Sequence, residues 1–216
     1  MKFHAVIFDL DGTLLNTLAD LASAHNRVLA ELGLPGHATD RYRDFIGNGA
    51  RKCIERSLPE EHRNSDLIER GLLIQKREYA RNWHEQTRPY QGVEVLLERL
   101  RHKGVNLAVL SNKDDSFTQQ CLAFFFPHKT FDIIQGFTEE IPPKPNPKGA
   151  LILADHLKLA PREILFVGDS EVDMETAVAA GMYPAGALWG FRSERKLLSA
   201  GARCTLEQPL ELLRLF

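Results

Sequence analysis

Apolar residues follow two rhythms along this chain. Short continuous runs bounded by turn residues read as strands buried on both faces. These runs are 3–8, 105–110, 131–134 and 164–167, with a weaker one at 185–188. Helical patterns lie between them. Residues 93–103 carry apolar side chains at 93, 96, 97 and 100, one face of a 3.6-residue repeat, and Gly104 sits where a helix stops. Segments 115–125, 148–157 and 173–180 read the same way. Strands alternating with helices predict an α/β fold, a doubly wound parallel sheet with helices on both faces.

One region breaks the alternation. Between the first strand and Val93 lie more than 80 residues without a convincing strand. Residues 18–32 are amphipathic and end at Gly33; 50–58 and 67–83 are also helical, and Pro59 separates them. The pattern predicts an all-helical domain at 16–87, inserted after the first strand of an α/β core made of 1–15 and 88–216. Pro142-Pro143-Lys144-Pro145-Asn146-Pro147 is too short for a domain linker and reads as a stiffened loop.

Composition narrows the function. With 216 residues and 44% hydrophobic content, the core needs no disulfide or structural metal. Lys plus Arg is 27 and Asp plus Glu is 29, which excludes a protein that coats nucleic acid non-specifically. The insert itself holds 11 basic and 11 acidic residues, so it is no polyanion clamp. Cys53, Cys121 and Cys204 lie far apart without a CxxC pair, as in a protein with reduced thiols. The apolar run after Lys2 stops at Asp9, too early for a signal peptide, and no stretch has membrane-spanning length. The expectation is a soluble, cytoplasmic protein with no nucleic-acid or membrane partner, a monomer or homodimer.

The polar residues fall where a parallel sheet binds ligands, beyond the C-terminal ends of its strands. The first strand runs into Asp9-Leu10-Asp11-Gly12-Thr13, the second into Ser111-Asn112-Lys113, and the fourth into Gly168-Asp169-Ser170 with Asp173 following. The Lys144 loop comes between the third and fourth. Each piece alone is an ordinary turn, cap or loop. Together they bring four carboxylates, a hydroxyl and a lysine to one rim. Asp9 and Asp11 point the same way in extended chain, and Asp169 and Asp173 share a face if a helix starts there. Crowded carboxylates need a cation, and hard oxygen ligands with open positions suit Mg²⁺. With a lysine, a hydroxyl and the backbone N–H groups around Gly12, the set suits phosphoryl transfer.

These residues carry a resemblance. Asp9-Leu10-Asp11-Gly12-Thr13-Leu14 resembles the first motif of the haloacid dehalogenase superfamily. Ser111 is similar to its second, Lys144-Pro145 to its third, and Gly168-Asp169-Ser170 with Asp173 to its fourth. The helical insert resembles the cap of one branch. Gly47-Asn48-Gly49, Ser111-Asn112-Lys113 and Trp189-Gly190-Phe191 resemble the phosphoglycolate phosphatases of that branch, although Trp189 also suits plain core packing.

The resemblance implies a Mg²⁺-dependent phosphatase for a small phosphorylated metabolite. Asp9 would be the nucleophile, forming an aspartyl-phosphate, and Asp11 the acid and then the base, its protonated form favoured by crowding. Asp9, Asp169 and the Asp11 carbonyl would hold the metal, with Asp173 ordering its waters or Lys144. Ser111, Lys144 and the Gly12 and Asn112 N–H groups would hold the phosphoryl oxygens, and Thr13 would orient Asp9. Gly47, Asn48, Gly49, Arg51, Lys52 and Lys113 are the candidates for substrate specificity. A sugar-phosphate mutase, a pyrophosphatase or a nucleotidase would use the same core residues, and a non-enzymatic phospho-aspartate module fits the intact motifs poorly. Asp11 argues against dehalogenase and phosphonatase chemistry, because those families lack aspartate there.

Overall fold

A computed structural model of the chain describes residues 3–127 and 129–216, so the first two residues of the predicted core lie outside the described residues. In chain order the elements are β1 (Ala5–Phe8), β2 (Leu15–Asn16), α1 (Leu18–Glu31), α2 (Tyr42–Phe45), α3 (Gly49–Ser57), α4 (Ser65–Asn82), β3 (Arg88–Pro89), α5 (Val93–His102) and β4 (Asn106–Asp114). They continue with α6 (Asp115–Phe125), β5 (Ile133–Phe137), α7 (Lys148–Leu157), β6 (Ile164–Gly168), α8 (Glu171–Ala179), β7 (Tyr183–Ala187), α9 (Glu194–Ser199) and β8 (Cys204–Leu206). The chain divides into two compact units. One comprises the residues up to Leu15 with Pro89–Phe216, the other Asn16–Arg88.

The first unit is built on a six-stranded sheet of order β5-β4-β1-β6-β7-β8, with every neighbouring pair parallel. β1 is buried along its whole length because it has strands on both edges and apolar side chains on both faces. One layer of that core joins Ala5, Ile7, Ala108, Leu110 and Phe166 to Ala150, Leu153 and Ala154 of α7. The chain builds β4 and β5 on one side of β1, then β6, β7 and β8 on the other. Strand order therefore reverses at β1, the place where open α/β sheets leave a crevice for ligands.

Several elements differ from expectation. β4 continues through Ser111, Asn112 and Lys113 to Asp114, and its register with β5 shifts between Leu110 and Asp114. The backbone stays extended after the apolar run has ended, so hydrophobic patterning stops short of the strand's true end. β5 starts at Ile133, just after Asp132, whose side chain accepts the Leu107 N–H at 2.8 Å and whose own N–H donates to the Leu107 carbonyl at 2.7 Å. β8, α9 and α2 are too short to show a period. Cys53, Cys121 and Cys204 are not joined by disulfides. Among the described residues, no helix is long and apolar enough to cross a membrane.

The second unit is helical. Leu29 of α1, Ile54 of α3 and Ile68 of α4 close a core with Leu58, flanked by Leu32, Leu34, Leu67 and Leu72. On α4 the buried Glu78 receives Arg27 at 3.2 Å, Arg77 at 2.8 Å and Arg81 at 3.2 Å. Arg77 also pairs with Glu31 on α1. Asp20 of α1 is 2% exposed. It accepts from the Gln86 N–H at 3.0 Å, the Thr87 N–H at 2.8 Å and the Thr87 hydroxyl at 2.7 Å. It thereby ties the first helix of the unit to its last residues, and removing it strands three donors. Asp20→Ala is expected to lower unfolding free energy by about 2–4 kcal/mol in urea denaturation, and a loss below about 1 kcal/mol would deny this tie its role.

Candidate active site

Asp9 leaves the end of β1 still registered with the sheet, its N–H donating to the Val167 carbonyl at 2.9 Å. The chain then folds back on itself. The Leu14 and Leu15 N–H groups both donate to the Leu10 carbonyl at 3.0 Å, and Gly12 adopts φ +92°. That φ favours glycine, and a Cβ there would also lie 2.3 Å from an Asp169 oxygen. Asp169 follows β6 directly. Asp173 lies in the first turn of α8, fixed by the Ser170 hydroxyl at 2.6 Å and the Ser170 N–H at 3.1 Å.

Three of the predicted carboxylates meet. Oxygens of Asp9, Asp169 and Asp173, all buried, lie within 4.8 Å of one another. Lys144 reaches into them, with Nζ 2.8 Å from Asp9 Oδ1 and 2.6 Å from Asp173 Oδ1. Burial alone would push the ammonium down, but the Asp173 and Asp9 charges outweigh it and hold Lys144 above the ordinary lysine range. The carboxyls feel the opposite strain. Burial, then Asp173, pushes Asp9 up to about 7, with Lys144 pulling back. Burial, then Asp173 and Asp9, holds Asp169 well above the usual carboxylate range, opposed by the Phe191 N–H. One ammonium leaves this cluster short of positive charge. A buried, all-oxygen donor set with that deficit fits a hard divalent cation such as Mg²⁺.

Neighbouring groups fix these side chains. Asn112 clamps the Lys144 backbone at two points, accepting its N–H at 2.8 Å and donating to its carbonyl at 3.0 Å. The Phe191 N–H donates to Asp169 Oδ2 at 2.8 Å. The Thr13 hydroxyl donates to Asp169 Oδ1 at 3.2 Å, so Thr13 orients Asp169 where the sequence suggested Asp9. Trp189 is more than core packing: its indole N–H donates to the Thr13 carbonyl at 2.9 Å. Gly190 lies so close beneath that a Cβ would stand 2.2 Å from Asp169 Cβ and 2.5 Å from the Gly12 carbonyl oxygen.

Sequence reasoning missed the Asn112 clamp, the Phe191 N–H and the Trp189 bond. The one signal available was the Trp-Gly-Phe run after the fifth predicted strand. Ser111 is buried, and its hydroxyl accepts the Lys113 N–H at 3.2 Å.

The Asp11 carboxylate stands apart from the cluster. Its two oxygens face the Lys113 ammonium at 2.8 and 3.0 Å. Its nearest charged partner is a cation that the sequence did not suggest, while its own charge still adds to the upward push on Asp9. In the helical unit, Asn48 precedes α3 and its Oδ1 accepts from Arg56 at 2.8 Å, while Gly47 and Gly49 take φ of +124° and +82°. Arg51 pairs with Glu69, and Lys52 with Glu55 at 2.6 Å.

Known proteins resemble this chain in sequence and fold. A family model described as haloacid dehalogenase-like hydrolase matches residues 6–187. The chain is 34% identical over 212 residues to a phosphoglycolate phosphatase of Aquifex aeolicus (strain VF5), spanning 98% of this chain and 96% of that protein. It is 35% identical over 198 residues to a phosphoglycolate phosphatase of Nitrosospira multiformis, spanning 90% of this chain and 87% of that one. A solved structure from Lactobacillus delbrueckii subsp. bulgaricus matches with TM-score 0.93 at 31% identity, covering 98% of this chain and 97% of that one. The chain belongs to the haloacid dehalogenase-like hydrolases and is an enzyme that hydrolyses phosphate monoesters.

Proposed function

We propose that this phosphatase is Mg²⁺-dependent, acts on a small phosphomonoester of the phosphoglycolate type, and works through an aspartyl-phosphate on Asp9. The observation that carries the reading is Lys144, held at 2.8 Å from Asp9 and 2.6 Å from Asp173 beside the central strand. The relatives named phosphoglycolate phosphatase support the substrate class.

Asp9 attacks phosphorus, and the ester P–O bond breaks with its electron pair going to the leaving oxygen. Asp11 delivers a proton to that oxygen. Asp11 then takes a proton from water as the water attacks the phosphorus of the aspartyl-phosphate, which frees phosphate and Asp9. Lys144, the Ser111 hydroxyl and the Asn112 N–H steady the phosphoryl oxygens, whereas the Gly12 N–H, expected among them from the sequence, is taken by the Leu15 carbonyl at 2.8 Å. Asp9, Asp169 and the Asp11 carbonyl would hold a divalent cation, which would supply charge neutralisation for the phosphoryl group. Asp173 orders Lys144.

The helical unit serves as the cap that excludes water during turnover, as the resemblance implies. Within it Asn48, Arg51 and Lys52 are the candidates for contact with substrate.

Phosphate release from phosphoglycolate, pyrophosphate, hexose phosphates and nucleoside monophosphates tests this. Release should require Mg²⁺, stop on chelation, and fall at least about 1,000-fold in Asp9→Asn. Release that survives Asp9→Asn would refute the nucleophile assignment. Asn112→Ala should lower kcat about 10–100-fold with the fold retained, because the Lys144 backbone loses both hydrogen bonds. An unchanged kcat would show that Lys144 is placed without that clamp.

A further inference from the structure

We propose that Trp189 is a positioning residue that holds Asp169 at the distance from the loop after β1 that a small octahedral cation such as Mg²⁺ requires. The inference rests on the reading that Asp9 and Asp169 hold the cation. These two carboxylates belong to different segments, Asp9 following β1 and Asp169 following β6. A slip of one segment against the other changes the spacing of the ligands. Some contact must therefore fix the two segments to each other.

The donors on Asp169 show where that contact lies. The Thr13 hydroxyl, from the loop after β1, donates to Oδ1 at 3.2 Å. The Phe191 N–H, from the loop after β7, donates to Oδ2 at 2.8 Å. Asp169 keeps one position only while these two loops keep theirs. The Trp189 indole N–H joins them directly, donating to the Thr13 carbonyl at 2.9 Å. Trp189, Thr13, Asp169 and Phe191 thus form a closed circuit, completed through Gly190. A Cβ on Gly190 would stand 2.2 Å from Asp169 Cβ and 2.5 Å from the Gly12 carbonyl oxygen, so the circuit has no slack on that side. The loop after β7 is moored at both ends. The Leu188 N–H donates to the Leu206 carbonyl at 2.9 Å, and Arg192 Nε lies 3.0 Å from Glu171, two residues beyond Asp169. Ring packing alone would not set the spacing, because apolar contact has no direction and a hydrogen bond does.

Cation size gives this positioning a readout. Mg²⁺ demands near-ideal octahedral geometry at about 2.0–2.1 Å, whereas Ca²⁺ accepts irregular shells at about 2.3–2.6 Å. A displaced Asp169 should therefore cost Mg²⁺ more than Ca²⁺. Free Mn²⁺ is counted by electron paramagnetic resonance in the full chain without substrate, and Mg²⁺ and Ca²⁺ are read by competition. Trp189→Phe keeps an aromatic ring and removes the N–H. It should raise the Mg²⁺ Kd about tenfold or more and the Ca²⁺ Kd less than about threefold, with an unchanged circular dichroism spectrum. Gly190→Ala should shift the two constants in the same unequal way by forcing Asp169 aside, and either folded variant decides the matter. Unchanged Mg²⁺ affinity overturns the proposal. So does an equal loss for both cations, which would mark a general loosening of the site. A wild type that binds none of the three cations overturns the cation reading and the proposal together. A wild type and a Trp189→Phe protein that bind Mg²⁺ alike overturn the proposal alone.

Discussion

Holding three carboxylates against one another inside a protein costs free energy that folding alone does not return. Asp9, Asp169 and Asp173 are arranged around that cost. Lys144 bridges Asp9 and Asp173, the Ser170 hydroxyl and N–H hold Asp173, and the Phe191 N–H and Thr13 hydroxyl hold Asp169. These contacts still leave Asp9 pushed up to about 7 and Asp169 well above the usual range, chiefly by burial. A phosphatase benefits from this imbalance. The site is built to accept a divalent cation, and the charge of the cluster then suits an arriving phosphate.

The sheet delivers these groups because its strand order reverses at β1. Asp9 comes from β1, the Asn112 and Lys113 pair from β4 beside it, and Asp169 from β6 on its other edge. The register shift of β4 lies in the stretch that carries Ser111, Asn112 and Lys113. That stretch does two jobs. Asn112 anchors the Lys144 loop, and Lys113 pairs with Asp11. The two cations of the site thus depend on one short length of strand.

Much of this was legible in the sequence, for identifiable reasons. β1 and β6 are continuous apolar runs ending in aspartates, so their existence and their chemistry could be read together. α7 and α6 keep a helical period with clear boundaries. What escaped was polar structure held by distant partners. Asn112 meets Lys144 across 32 positions, and Trp189 meets Thr13 across 176. No local pattern records such pairings. β4 was read too short because its last four residues are polar yet extended, and β8 was not read at all because three residues carry no period. The Lys113 ammonium facing Asp11 escaped too, because spacing shows which way a side chain points, not which partner meets it.

The central claim is that Asp9 accepts the phosphoryl group. Acid quenching during turnover, borohydride reduction and peptide mass spectrometry would test it most directly, because an aspartyl-phosphate is reduced to homoserine. The account predicts homoserine at position 9, dependent on substrate. Turnover with no reduced residue at position 9, or with the label on another side chain, would contradict it.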